Sequence, residues 1–350
     1  MSRIWPNRRW AVALAGLACA LGLSTSAWGL KMIPKGTGGG GDVPINVTAE
    51  RMEADHRSKK ILFSGNVVTT RGSMIIRSDT LEVFTSDEEE GAEEVRKVLA
   101  RGNVRLEHET KRATGDEAVY LAQEGKVVLT GNTRAWDGES EVTGHQMTLY
   151  IDEDKSVVTG GEDRRVEVAL KPRDVEDRRF PSPAARNGNA SQKLDSPIYV
   201  TADRMEADHK QKTVFFEGKV IAKQADFRMD SDELEVFNSG RGERQLSKIV
   251  ARGNVRLDRG GKIATADKAI YYERERKFLM IGHARAQEKG NIVTGTRMEI
   301  YIDQDKSVVL GDGKEQVEVT IYPQEGKGVA KQPLPLPTAS EGSLKRPSRP

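Results

Sequence analysis

Residues 48–56 read Thr-Ala-Glu-Arg-Met-Glu-Ala-Asp-His, and residues 201–209 read Thr-Ala-Asp-Arg-Met-Glu-Ala-Asp-His, one change at an offset of 153. The same chain writes Ala100-Arg101-Gly102-Asn103-Val104-Arg105-Leu106 again without change at Ala251–Leu257, at an offset of 151. Tyr150–Val158 returns at Tyr301–Val309 with one change. A long ordered match of this kind is one structural unit used twice. The two residues lost between the copies lie between Phe84 and Ala100, where Asp87-Glu88-Glu89-Glu90 faces Ser239-Gly240-Arg241-Gly242. Loops absorb such changes.

The units span 44–172 and 197–323, joined by a Pro- and Gly-containing linker at 173–196 and followed by a Pro-rich tail at 324–350 expected to be disordered. Each unit also repeats internally. A short acidic phrase opens at Thr48, Ser78 and Thr114, more loosely at Thr143, and again at Thr201, Ser231, Thr265 and Thr294. A glycine followed by an apolar-alternating run falls at Gly65, Gly102 and Gly131, then at Gly218, Gly253 and Gly282.

Between these marks the apolar period is two. Met74 and Ile76 flank Ile75 where Phe227 and Met229 flank Arg228, and Leu81 and Val83 bracket Glu82 where Leu234 and Val236 bracket Glu235. Such runs are strands with one apolar face. Turn phrases such as Asp152-Glu153-Asp154-Lys155 punctuate them, and no helical stripe is sustained. The expected fold is all-β: two tandem rolled antiparallel sheets, with a solenoid-like stack of hairpins as the alternative. Either leaves strand edges at its ends, which could pair with a copy of the chain or with a related domain.

Composition narrows the function. The 350 residues are 31% charged and 37% hydrophobic, which excludes a polytopic membrane protein, and 55 basic against 53 acidic side chains give +2, too balanced for affinity to nucleic acid. Arg3, Arg8 and Arg9 precede an uncharged apolar run, Trp10–Leu23, and Thr25-Ser26-Ala27 supplies small residues for cleavage before Trp28. Residues 1–27 are expected to be a signal peptide and 28–43 a flexible lead. Cleavage takes three arginines and the single cysteine, Cys19, leaving a chain near −1 with no thiol chemistry. Leu17 lies at −2 from Cys19, which argues against lipidation, and the flanks of Arg8-Arg9 match twin-arginine export poorly. An uncleaved leader acting as an anchor is the alternative.

Pro44–Met52, Phe63-Ser64-Gly65-Asn66-Val67, the Asp79-x-Leu81-x-Val83 strand and Leu129-Thr130-Gly131-Asn132 resemble the OstA-like module of the lipopolysaccharide-transport protein A (LptA) family. Pro197–Met205, Phe216-Glu217-Gly218-Lys219-Val220 and Ile281-Gly282 match it a second time. The resemblance implies two tandem OstA-like β-jelly rolls. It further implies a periplasmic bridge along which lipopolysaccharide moves from inner to outer membrane in an apolar groove. Expected partners are the lipid A acyl chains, inner- and outer-membrane transport components reached through edge strands, and other copies end to end; no nucleic acid and no cofactor is expected. Ile45, Val47, Ile198 and Val200 match the family's lipid-contacting strand. Phe63, Met74, Phe216, Phe227 and Met229 are added as groove residues on alternation alone. Only a short tail follows the second unit, where the outer-membrane translocon of this family carries a large β-barrel.

The chemistry of such a carrier is elementary. Exposing a fourteen-carbon acyl chain costs about 10 kcal/mol at about 0.8 kcal/mol per methylene, so something must cover it. Catalytic signals are lacking. His56, His108, His145, His209 and His283 form no His-x-His or His-Glu-x-x-His pair. Asp152-Glu153-Asp154 and Asp303-Gln304-Asp305 lack the spacing of a calcium loop and read as turns. Neither Gly-x-Ser-x-Gly nor a Walker loop occurs. The chain reads as a non-enzyme without a metal. The competing function is an envelope scaffold that polymerises through its edges, binds no lipid and has a filled interior.

Overall fold

The computed structural model describes residues 45–87, 93–138, 140–170, 197–238, 246–301, 304 and 306–322. The expected leader, lead, linker and tail lie outside the described residues. The first repeat contributes β1 (Asn46–Thr48), β2 (Arg51–Asp55), β3 (Lys60–Arg71), β4 (Met74–Asp87), β5 (Glu93–His108), β6 (Lys111–Leu121), β7 (Lys126–Asp137), β8 (Ser140–Tyr150), β9 (Lys155–Thr159) and β10 (Val166–Leu170). The second contributes β11 (Ile198–Ala202), β12 (Arg204–Asp208), β13 (Thr213–Gln224), β14 (Phe227–Asn238), β15 (Leu246–Arg259), β16 (Lys262–Tyr272), β17 (Lys277–Glu288), β18 (Asn291–Tyr301), β19 (Lys306–Leu310) and β20 (Glu318–Thr320). No helix occurs among the described residues.

Every pairing is antiparallel, and the all-β fold is of the β-jelly-roll type. The long strands are too long to stay in one plane, and each breaks register near its middle. On β3, Ser64 pairs with Thr80 and the next pair is Val67 with Ser78, so Gly65 and Asn66 are left over. Such a bulge bends the strand and increases its twist. Both residues have positive φ, 81° and 45°, a conformation that glycine adopts freely and that asparagine tolerates better than most residues. The bend recurs at Gly102-Asn103, Gly131-Asn132, Gly218-Lys219, Gly253-Asn254 and Gly282-His283.

These corners divide each long strand between two facing sheets. The half of β3 after its corner pairs with β1, and the half before it pairs with β2. The first sheet therefore runs from β1 through the β3–β8 halves to β10, β11, the β13–β18 halves and β20. The second runs from β2 through the other halves to β9, β12 and onward to β19.

The two repeats do not sit as separate units. β10 pairs with β11 from Val166↔Ala202 to Leu170↔Ile198, and β9 pairs with β12 from Thr159↔Arg204 to Lys155↔Asp208. Both sheets cross the join without interruption. Among the described residues β4 and β5 pair out to Asp87↔Glu93, and β14 and β15 out to Asn238↔Leu246.

Candidate functional site

The corners hold a ladder of carboxylates. Glu50, Asp79, Asp116, Asp203, Asp232 and Asp267 each lie against the corner glycine of a neighbouring strand, so the acidic phrases and the glycines of the sequence meet here. The residue after the glycine closes the contact. Asn66 Nδ2 donates to Glu50 at 2.7 Å, Asn103 to Asp79 at 3.0 Å, Asn132 to Asp116 at 3.3 Å and Asn254 to Asp232 at 2.9 Å. At the last corner His283 Nδ1 lies 2.9 Å from Asp267, and that hydrogen bond raises the imidazole above its ordinary value.

At the join the corner is reinforced. Arg165, just before β10, donates from Nε to Asp203 at 2.9 Å and from its terminal nitrogen to the carbonyls of Gly218 and Lys219 at 2.7 and 2.8 Å. Lys155 of β9 pairs with Glu206 of β12 at 2.9 Å. Burial opposes ionisation of Glu206, but hydrogen bonds from Lys155 and Arg204 outweigh it and hold the carboxyl below its ordinary value.

Between the sheets lies one apolar interior. A single contiguous set of buried apolar side chains reaches from Val67 to Ile300 and passes through the join, where Ser156 and Gln224 are buried in its rows. Alternation puts these residues inside: Val166, Val168 and Leu170 on β10 face inward with Ile198, Val200 and Ala202 on β11. Alanines such as Ala113, Ala135, Ala222 and Ala264 share one inward row with larger residues such as Leu106, Val200 and Met229. Apolar side chains become exposed at the two ends, with Ile45 58% and Met52 59% exposed at one and Val319 42% and Ile321 64% at the other.

Each residue singled out from the sequence can now be placed. Val47 and Phe63 are half-buried and pack on the interior from the β1–β2 end. Met74, Phe216, Phe227 and Met229 are buried, and Ile198 and Val200, 0% and 1% exposed, sit at the join. Ile45, one residue before β1, is exposed at the mouth. Arg105 faces outward, in line with Arg77 and Thr114.

Two features escaped the sequence reading. The outer face of the second sheet carries its own apolar cluster, Val250, Ile270 and Leu279 with Phe237 and Tyr272. Beside it Lys248 lies over Phe237 at 4.1 Å and Lys277 over Tyr272 at 5.5 Å, cation–π contacts that cover the rings. The signal was present as Lys alternating with aromatics at strand ends, but its register needs the topology. Among the described residues no group of three His, Cys, Asp or Glu is placed to hold a metal ion.

How the sheets are joined matters for what the interior can do. Among the described residues, each backbone hydrogen bond joins strands of one sheet or belongs to a turn or the corner ridge; none ties the two opposite lips together. The lips, the rows of hairpin ends opposite the corners, can therefore part without breaking a backbone ladder.

A continuous pair of antiparallel sheets around an apolar interior, with unpaired edges at β1, β2, β19 and β20 among the described residues, defines a tandem β-jelly roll. Residues 46–155 and 199–306 match the family described as LptA/(LptD N-terminal domain) LPS transport protein, and the chain belongs to that family. Among solved structures it is similar to LptH, the LptA-homologous periplasmic component of the lipopolysaccharide transport device of Pseudomonas aeruginosa. That likeness has 18% identity and a TM-score of 0.33, over 37% of this chain and 96% of that one. No curated relative matches.

Proposed function

We propose that the chain is a periplasmic carrier for lipopolysaccharide, exported by residues 1–27 and holding the lipid A acyl chains between its two sheets. The observation that carries this reading is the contiguous apolar interior that crosses the join, with no backbone hydrogen bonds tying its two sheets along the side opposite the corners among the described residues. Acyl chains entering between the parted lips would bury their own apolar surface together with the apolar side chains that parting exposes. Nothing in the passage needs a catalytic group, because the attraction is not directional. The units 44–172 and 197–323 would each supply half of the path.

The ends supply the connections. At the join, β10 and β9 of one repeat pair with β11 and β12 of the next, and β20 and β19 repeat the sequence positions of β10 and β9. A further copy, or a related domain in either membrane, would add to β1 and β2 in the same way. The clamp differs: Arg165 has Gln316 as its counterpart, so an end-to-end contact between copies lacks the arginine that locks the internal join.

The packed middle of the interior favours one competing reading, a scaffold that binds no lipid. Purification of the exported chain from cells that make lipopolysaccharide, followed by mass spectrometry of the extracted lipid, separates the two. Lipopolysaccharide in near-stoichiometric amount supports the carrier, and its amount should fall in Ile45→Asp and stay unchanged in Arg105→Asp. A lipid-free chain that takes up no added lipopolysaccharide at micromolar concentration leaves the scaffold.

A further inference from the structure

Buried polar atoms normally find a partner, and three that do not lie together on the inner face of the first sheet. They are Thr69 Oγ1 and Arg71 Nε on β3 and His108 Nδ1 on β5, all shielded from solvent and without a hydrogen-bond partner. Their placement follows from register. Arg71 pairs with Met74 and Met74 with His108, so the two cationic-type side chains flank a buried methionine on the interior side, about 10 Å apart across two strand spacings. Thr69, two residues from Arg71 and hence on the same face, stands opposite Val47 of β1. The patch therefore sits just inside the mouth that Ile45 opens.

The second repeat shows what the same place looks like without this function. Thr69 and Arg71 are replaced there by Ala222 and Gln224. His108 is replaced by Arg259, whose Nε is already neutralised by Asp226 at 3.2 Å. The first repeat has Ser73 where the second has Asp226, so no acid stands at that position beside His108. The nearest acid further along the row, Asp137 on β7, accepts from Thr110 at 3.0 Å.

Taking the carrier reading as its basis, we propose that Thr69, Arg71 and His108 form an anion subsite that receives a phosphate of the acylated phosphosugar at the β1–β2 mouth. A hydroxyl, a guanidinium and an imidazole present donors to one tetrahedral oxyanion, and charge-assisted bonds of this kind are the strong ones. The acyl chains then continue past Val47 and Met74 into the apolar interior, so the subsite orients the lipid with its headgroup on the first-sheet side. The second repeat, lacking the trio, passes the headgroup on without holding it.

The test uses the full exported chain with three probes: bisphosphorylated lipid A, the same lipid with both phosphates removed, and inorganic phosphate. The variant Thr69→Ala/Arg71→Gln installs the residues the second repeat carries at the same register, so the fold tolerates them; circular dichroism checks it. The wild-type chain should bind bisphosphorylated lipid A about tenfold more tightly than the dephosphorylated form, and the double variant should bind both at the weaker affinity. Arg105→Gln should keep the preference. Equal binding of the two lipids by the wild-type chain, or a preference retained in the double variant, overturns the subsite while leaving the carrier reading standing. Inorganic phosphate that shifts the His108 ring resonances without displacing lipid A also overturns it, in favour of a free-phosphate site. Binding of neither lipid removes the carrier reading itself.

Discussion

Replacing Gly102 by alanine should destabilise the fold far more than the same change at Gly260, although both glycines have positive φ, 75° and 58°. Each substitution places an L side chain in the left-handed region, at about 1–2 kcal/mol. Beyond that the sites differ. A Cβ at Gly260 meets nothing within 4 Å. At Gly102 it would overlap the Asp79 carboxylate and stand 2.9 Å from Asp79 Cβ, an atom that no rotation about χ1 moves away. The strands must then part, the Asn103–Asp79 bond at 3.0 Å is lost, and overpacking of this kind adds about 1–3 kcal/mol. Urea denaturation followed by circular dichroism should separate the two variants by about 2 kcal/mol. Asp79→Gly should recover part of the difference in the Gly102→Ala background, whereas Asp79→Ala, which keeps its Cβ, should recover little. Equal destabilisation at Gly102 and Gly260 would refute the idea that the carboxylate ladder packs the corners.

Further predictions concern the join. Arg165→Ala removes three hydrogen bonds from a partly exposed arginine and should lower stability by about 1–2 kcal/mol, with amide exchange rising first in β10 and β11; unchanged protection there would count against the clamp. Because the folded-state value of Glu206 is lowered, its contribution is present above the ordinary carboxylate range and is lost as pH falls through the lowered value. Acid titration should therefore loosen β9 and β12 at low pH in the wild-type chain, and Glu206→Gln should flatten that dependence. Val200→Asp, which buries a carboxylate in the interior at the join, should cost several kcal/mol, against less than 0.5 kcal/mol or so for the outward-facing Arg105→Asp, as urea midpoints would show.

Much of this architecture was legible in the residues. Period-two alternation placed Met74, Leu81, Phe216 and Met229 inward, because a strand has only two faces and one must be buried. The glycine beat was visible too, but not its meaning. Asp79 and Gly102 are distant in sequence and meet only when β4 lies beside β5, so the acidic phrase and the glycine looked like separate punctuation. The continuous join was hidden for the same reason, since β9–β12 and β10–β11 pairings depend on which edge is free. Ile45 was singled out with Ile198 because both match the strand that the resemblance marks as lipid-contacting, yet one is exposed at a mouth and the other is sealed by a neighbouring repeat. Thr69, Arg71 and His108 carried no pattern at all; only one buried side-chain atom on each, without a partner, distinguishes them.

The most direct test of the account is site-specific photo-crosslinking in cells that make lipopolysaccharide, with the reactive side chain placed at Phe63 and Phe216 on the inner rows and at Arg105 outside. A carrier that holds acyl chains between its sheets gives lipopolysaccharide adducts at Phe63 and Phe216 and none at Arg105. Adducts at all three alike, or at none of them, would contradict it.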